Sequence, residues 1–345
     1  MRAAVLAAYN APLVIEDVAM PDCPADGVVL RVLACGICRS DWHGWTGEHA
    51  RVKPGSRMGH EYCGEVVEAG PQSRWRVGDR VIAPFILACG ACPDCQAGHQ
   101  TICPNQIVPG FTAPGAFAEY IAVPHDVNLA RLPESLSPAL AAGLGCRVTT
   151  AWEALTGRAA LRGGEWLAVH GSGGVGMSAL ILGRALGARV IVTDVVPEKL
   201  DFARKLGAEA AVDARGGDAA AQIREITGGG ADVSVDALGF PDTIRASLAC
   251  LRPLGRHVQV GMPTGHHAKV ELDMLGLYMG QLAVFGTRGM PAWKYPSLLS
   301  LIASGRVDVS PILSRTVALS DVSAELAAMN GPTPPGVAVV TDFLR

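Results

Sequence analysis

The stretch from Glu165 to Asp194 leaves this chain few folds to choose from. Residues 165–170, EWLAVH, form a short apolar run that GSGGVG ends at once, and from Val175 to Gly187 the apolar residues recur with helical spacing. A second β-branched run, Arg189 to Thr193, closes on Asp194. Strand, glycine turn, helix and second strand make a βαβ unit. Within it Gly171 permits the tight turn, Gly173 lets backbone approach a pyrophosphate, and Gly176 packs helix on strand. Gly174 and Val175 open the helix, whose N-terminal amides would take the phosphates. An acid about 20 residues past the glycines completes the pattern. Asp194 would accept hydrogen bonds from ribose hydroxyls and repel a 2'-phosphate, so the unit is expected to bind NAD in preference to NADP.

Alternation continues beyond this unit. Helices are expected over Lys199 to Leu206, Asp218 to Thr227 and Thr243 to Leu251, with strands at Ala210 to Val212, Asp232 to Val235, His257 to Val260 and Val284-Phe285. That order predicts a doubly wound parallel sheet, an α/β domain. The first part of the chain reads differently. Short β-branched runs broken by Gly and Pro, at Ala3 to Ala7, Leu13 to Val18, Val28 to Ala34, Glu65 to Glu68, Asp79 to Ile82 and Ala118 to Val123, indicate an irregular, mostly antiparallel β domain. An Ala-rich helical stretch, Leu136 to Thr156, links the two, and Trp293 to Arg345 returns to the first, with a Pro-rich turn at Pro332 to Pro335. The expected division is 1–147 with 286–345 around an inserted 148–285.

Composition narrows the function classes. The 345 residues are 49% hydrophobic with a formal net charge of -3, and no basic block offers phosphate neutralisation, so nucleic acid is not an expected partner. MRAAVLAAYN lacks the core of a signal peptide. Apolar runs such as Ser178 to Leu182 are soon interrupted by Gly183, Arg184 and Arg189, so no membrane span is expected either. Ten cysteines, four of them within one short loop, read as metal ligands in a reducing, cytoplasmic setting better than as disulfides.

Two metal signals stand out. CGICRSDWHGWTG, beginning at Cys35, holds Cys38, Ser40, Asp41 and His43, and a later GHE adds His60 and Glu61. Thiolate with imidazole suits zinc, and a third soft ligand is needed; Cys146, in LGCRVTTAW, is the candidate, because a Cys-His-Cys set with an open fourth position is a catalytic arrangement. CGACPDCQAGHQTIC places Cys89, Cys92, Cys95 and Cys103 at spacings that close around one zinc with no open position, a structural site in a lobe at about 88–104.

Taken together, CGICRSD with GHE, the four-cysteine loop, the Cys146 segment and GSGGVG with Asp194 resemble the zinc-dependent alcohol dehydrogenases of the medium-chain dehydrogenase/reductase superfamily over essentially the whole chain. The resemblance implies a GroES-like catalytic domain beside a Rossmann coenzyme domain, NAD, and two zinc ions per subunit. It implies that a primary or secondary alcohol held at zinc passes hydride reversibly to NAD, giving an aldehyde or ketone. Cys38, His60 and Cys146 would hold the catalytic zinc, Asp41 would orient the zinc histidine, and Glu61 would approach the metal during ligand exchange. Ser40 would hand on the substrate proton and His43 would end the relay. Arg39 matches a partner of the NAD pyrophosphate, Lys199 a residue near the adenosine ribose, Thr150 and the backbone near Val260 and Met262 positions that hold the nicotinamide, and Phe85 a wall of the alcohol pocket. Polyol dehydrogenases commonly carry a carboxylate in place of the third ligand, so Cys146 argues against them without excluding a secondary alcohol. Zinc-free reductases lack both metal sites. A non-catalytic NAD-binding protein would have no need of Ser40 and His43. By its length the chain resembles the tetrameric bacterial members, a dimer being the alternative.

Overall fold

The computed structural model describes residues 1–331 and 335–345, the side chain of His266 apart; most of the expected turn at Pro332 to Pro335 therefore lies outside the described residues. Two compact units result. One comprises Met1–Thr149, Gly289–Gly305 and Val309–Arg345, the other Thr150–Arg288 with Arg306–Asp308.

In the first unit β1 (Arg2–Val5) pairs antiparallel with β2 (Val14–Asp17). The main sheet uses β3 (Val28–Gly36), β4 (Glu61–Ala69), β5 (Arg80–Ile82), β6 (Tyr120–Val123) and β7 (Ala130–Arg131). Its pairs are antiparallel, with β4 and β6 both on β3, β5 on β4 and β7 on β5. The core lies against β3 and β4, where Leu30, Ile37, Met58, Tyr62 and Phe117 are fully buried. This sheet is larger than the sequence pattern indicates. The strand pairing carries β3 on to Gly36 and starts β4 at Glu61, so the metal motif is not held on loops alone: Gly36 faces Glu61 across the ladder. Two strands near the C-terminus, designated β14 (Leu313–Ala318) and β15 (Val337–Asp342), pair parallel with each other, and Val339 and Val340 of β15 lie antiparallel to Gly36 and Cys35.

The second unit is a six-stranded sheet built from β8 (Trp166–His170), β9 (Arg189–Asp194), β10 (Ala210–Asp213), β11 (Ala231–Asp236), β12 (Leu251–Gln259) and β13 (Ala283–Gly286). All pairs are parallel and the order is β10-β9-β8-β11-β12-β13. The order reverses between β8 and β11, which makes the carboxyl ends of those strands the switch point where ligands bind in doubly wound sheets. Leu167, Ala168 and Val169 are wholly buried, which is why β8 reads as a continuous apolar run and shows no alternation. The helix Pro241–Ala249 ends before Leu251, which joins β12; of the expected strand His257 to Val260, residues 257–259 form only the end of that nine-residue strand and Val260 lies just beyond it. Among the described residues no helix is long and apolar enough to cross a membrane.

The Ala-rich stretch is not one helix. Helix Pro138–Ala142, whose N-cap Ser137 accepts from the Leu140 amide, gives way to π-helical turns at Leu144–Val148 and again at Glu153–Arg158, on either side of the helical turn Thr149–Trp152. Such wide turns concentrate at functional sites, and Cys146 sits inside the first of them.

Candidate functional site

Cys38 is the N-cap of the short helix Arg39–Trp45, and Asp41, three residues on, reaches back with Oδ2 to accept from the Cys38 amide at 3.0 Å. That bond fixes a carboxylate inside the protein, with no exposed surface. Its Oδ1 accepts from His60 Nδ1 at 2.9 Å and from the Gly59 amide at 3.3 Å. His60 therefore donates from Nδ1, which leaves Nε2 to face the cysteines, and Nε2 is buried with no hydrogen-bond partner. One ligand atom each from Cys38, His60, Glu61 and Cys146 lies within 4.8 Å of all the others. Two sulfurs, a bare imidazole nitrogen and a carboxylate so close together fit zinc.

The charges fit it as well. The Cys146 thiol donates to Cys38, which holds Cys38 well below the usual thiol range and pushes Cys146 well above it. Burial pushes the Glu61 carboxyl up to about 8, with the Arg147 guanidinium opposing it. The buried Arg147 guanidinium lies 3.2 Å from a Glu61 carboxyl oxygen, and it donates to the Ile37 carbonyl at 3.0 Å. Phe85 and Phe111 lie edge-to-face with His60, with centroids 5.9 and 5.2 Å away, and the His49 ring packs tilted against Phe111 at 4.6 Å. Arg147 and Phe111 escape sequence reasoning. A lone arginine beside a candidate ligand in an apolar stretch is the one signal that could have found the former.

Ser40 is half-buried on the same short helix. His43 places Nδ1 2.6 Å from Glu48 Oε2, a carboxylate the sequence offers no reason to select. Arg39 lies over the Trp42 ring and donates to the Met329 carbonyl at 2.6 Å.

The four-cysteine loop closes on itself. Sulfur separations are 3.4 Å for Cys92–Cys95, 3.5 Å for Cys89–Cys103, 3.8 Å for Cys92–Cys103 and 4.0 Å for Cys89–Cys95. Zinc at about 2.3 Å from four thiolates requires a tetrahedron with edges of roughly 3.8 Å. The fit is direct, and no disulfide competes, since all ten cysteines are free.

In the second unit two of the motif's glycines sit where a side chain would not fit. Gly171 has φ +93°, a conformation that favours glycine, and a Cβ on Gly176 would lie 1.8 Å from the Gly171 carbonyl oxygen. Gly173 caps the helix Gly174–Ala185, which includes Val175, and a Cβ there would meet nothing within 4 Å, leaving its backbone open to a ligand. Asp194 ends β9. Its Oδ2 accepts from the Ser172 amide and hydroxyl at 2.8 and 2.5 Å, and its Oδ1 from the amides of Val195 and Val196 at 2.8 and 3.0 Å. Ser172, hidden inside the glycine motif, thus ties the acid to the turn. Lys199 is half-buried in the first turn of the helix Pro197–Lys205. Thr150 is buried at 5% exposure, whereas Met262 is 45% exposed.

Comparison with known proteins places this arrangement. Residues 24–134 match the family model described as alcohol dehydrogenase GroES-like domain, and residues 174–304 match zinc-binding dehydrogenase. An alcohol dehydrogenase of Rhizobium meliloti is 37% identical over 269 residues, covering 77% of this chain and 78% of the relative. This chain belongs to the zinc-dependent alcohol dehydrogenases of the medium-chain dehydrogenase/reductase superfamily. It is an oxidoreductase acting on the CH–OH group of an alcohol or polyol. Another relative of this dehydrogenase is a sorbitol dehydrogenase of Bacillus subtilis, 32% identical over 328 residues, with 91% of this chain and 89% of that one covered. Among solved structures, the alcohol dehydrogenase TADH from Thermus sp. ATN1 matches with a TM-score of 0.93 at 30% identity, covering 99% of this chain and all of that one.

Proposed function

We propose that this protein is an NAD-linked alcohol dehydrogenase that interconverts a primary or secondary alcohol with its aldehyde or ketone. The observation that carries the reading is the buried, partnerless His60 Nε2 beside the sulfurs of Cys38 and Cys146. These three residues hold a catalytic zinc, and Cys89, Cys92, Cys95 and Cys103 hold a structural one. When bound, zinc supplies a Lewis acid for the alcohol and NAD the hydride acceptor.

The chain's own residues supply orientation and a proton route. Asp41 fixes the tautomer of His60. Arg147 holds Glu61 beside the ligand cluster and supplies a counter-charge to two thiolates and a carboxylate. Ser40 receives the substrate proton, and His43 delivers it outward. Glu48 accepts from His43 Nδ1, so His43 Nε2 is the nitrogen that takes the proton up. Phe85 and Phe111 form apolar walls that keep water off the reacting carbon.

The unit Thr150–Arg288 is the coenzyme domain. The amides at Gly173 and Gly174 receive the pyrophosphate, with Arg39 as its cation, and Lys199 stands near the adenosine ribose. Thr150 and the segment Val260 to Met262 take the nicotinamide half. Asp194 selects NAD because a carboxylate beside a 2'-phosphate is repelled.

The surface of that unit supports a homo-oligomer, a tetramer on the analogy of length. Helix Met274–Gly280 exposes Met274, Leu275, Tyr278 and Met279 at 65, 70, 74 and 70%, and β13 is an edge strand. Light scattering decides the stoichiometry. A reducing, cytoplasmic setting suits ten free thiols.

Elemental analysis with a steady-state screen of primary, secondary and polyhydric alcohols against NAD and NADP tests the reading. Two zincs per chain with turnover of simple alcohols and NAD supports it. Turnover confined to polyols would replace it with the polyol reading, and absence of zinc would overturn it.

A further inference from the structure

Asp194 at the end of β9 takes the adenosine ribose, and the glycine turn after β8 takes the pyrophosphate. A dinucleotide laid across the carboxyl edge in that direction brings its other half over the ends of β11 and β12.

Those two ends are locked together. Asp236, the last residue of β11, has no exposed surface and stands in register with His170 of β8 and Gln259 of β12. Its carbonyl oxygen accepts from the amides of Val260 and Gly261 at 3.0 and 2.8 Å. Its Oδ2 accepts from the Gly239 amide at 2.7 Å and from Gln259 Nε2 at 2.6 Å, and the same Nε2 donates to the Gly261 carbonyl at 2.7 Å. Two acceptors on one nitrogen fix which way the Gln259 amide points. Gln259 Oε1 must then accept from His257 Nε2 at 3.2 Å, which leaves His257 Nδ1 to accept from Ser247 at 3.0 Å or Ser234 at 3.3 Å. Every member of this chain has its role assigned except Asp236 Oδ1, a buried carboxylate oxygen with no hydrogen-bond partner.

Backbone contacts extend the lock in both directions. A Cβ on Gly239 would lie 2.8 Å from the Met262 carbonyl carbon, and one on Gly261 would lie 2.3 Å from the Gly239 amide nitrogen. The Leu238 side chain comes within 2.4 Å of the Cβ position of Gly171. The turn 236–239 is thus wedged between the pyrophosphate loop and the segment 260–262.

We propose that Asp236 and Gln259 are positioning residues that set the Val260–Met262 segment for the nicotinamide half of the dinucleotide and leave the ADP half to the glycine turn and Asp194. The proposal rests on the dinucleotide reading above. Neither residue reacts; each acts through the backbone it holds.

Binding separates this role from a general structural one. Wild type and Gln259→Met, which keeps the volume and removes every side-chain hydrogen bond of residue 259, are titrated calorimetrically with NADH and with ADP-ribose, which lacks the nicotinamide. The expected result is a loss of at least tenfold in affinity for NADH with ADP-ribose affinity within twofold of wild type. Equal losses for both ligands, or no loss for either, overturn the proposal. Should Gln259→Met not fold, Asp236→Asn, which keeps the shape but sets an amide group where an oxygen stands, is read by the same ratio of affinities. Failure of wild type to bind either ligand would refute the dinucleotide reading itself.

Discussion

Asp41→Asn tests the catalytic cluster most sharply, because the change is one atom in a site with no exposed surface. Three donors converge on the carboxylate: His60 Nδ1 and the Gly59 amide on Oδ1, the Cys38 amide on Oδ2. An asparagine has one acceptor for these three. If its oxygen faces His60 and Gly59, its NH2 opposes the Cys38 amide and a buried N–H is left without a partner, at a cost of about 1–3 kcal/mol. In the reverse orientation His60 Nδ1 faces a donor, the ring hydrogen moves to Nε2, and the nitrogen that now faces the two cysteines can no longer bind metal. Disturbing the outer partner of a ligating histidine costs about 10–100-fold in metal affinity, which is about 1.4–2.7 kcal/mol. Competition with a chromophoric chelator measures this within one molecule: one zinc should leave about 10–100-fold more readily than in wild type, while the four-cysteine zinc stays as an internal reference. Equal retention of both zincs in the mutant would refute the reasoning, since Asp41 would then have no hold on the histidine.

Three further predictions are independent of that one. Cys92→Ala leaves three sulfurs where a closed site needs four, so the thermal midpoint should fall and chelator should remove the remaining zinc from the lobe; an unchanged melt with full zinc content would contradict the structural role. Asp194→Ala removes the repulsion against a 2'-phosphate, and the ratio of kcat/KM for NADP to that for NAD should rise by about tenfold or more; a mutant as selective as wild type would disprove the assignment. Burial, with His257 nearby, pushes the His170 imidazole down to about 3. The unfolded chain takes up that proton near pH 6.5 while the folded one does not, so the stability is whole above about 6.5 and falls by about 1.36 kcal/mol per unit as pH drops toward 3. At pH 5 this amounts to about 2 kcal/mol. In urea unfolding at pH 7 and pH 5, His170→Gln should lose less stability than wild type by that amount, and identical losses would show that His170 does not titrate between the two states.

Local chemistry was legible wherever neighbours in sequence are neighbours in space. GSGGVG and Asp194 sit on one βαβ unit, and the spacing of Cys89, Cys92, Cys95 and Cys103 is already the geometry of a tetrahedron. The wide turn at Cys146 was not legible, because an Ala-rich run has too little polar contrast to show whether it closes on i+4 or i+5. Nor was the pairing of β15 with Cys35 and Gly36, which joins residues some 300 apart and so leaves no trace in any local window.

By itself, then, the order of residues settled which side chains could do chemistry: the thiols, the imidazoles, the glycines of the turn and the acid beyond it are set by residue type and short-range spacing. Tertiary structure alone decided their state. Asp41 orients His60 across 19 positions, Arg147 finds Glu61 inside the cluster, and Asp236 and Gln259 meet on adjacent strands. Burial is the physical reason. A charge or a lone pair changes its behaviour when water is replaced by a particular neighbour, and only the folded chain supplies that neighbour.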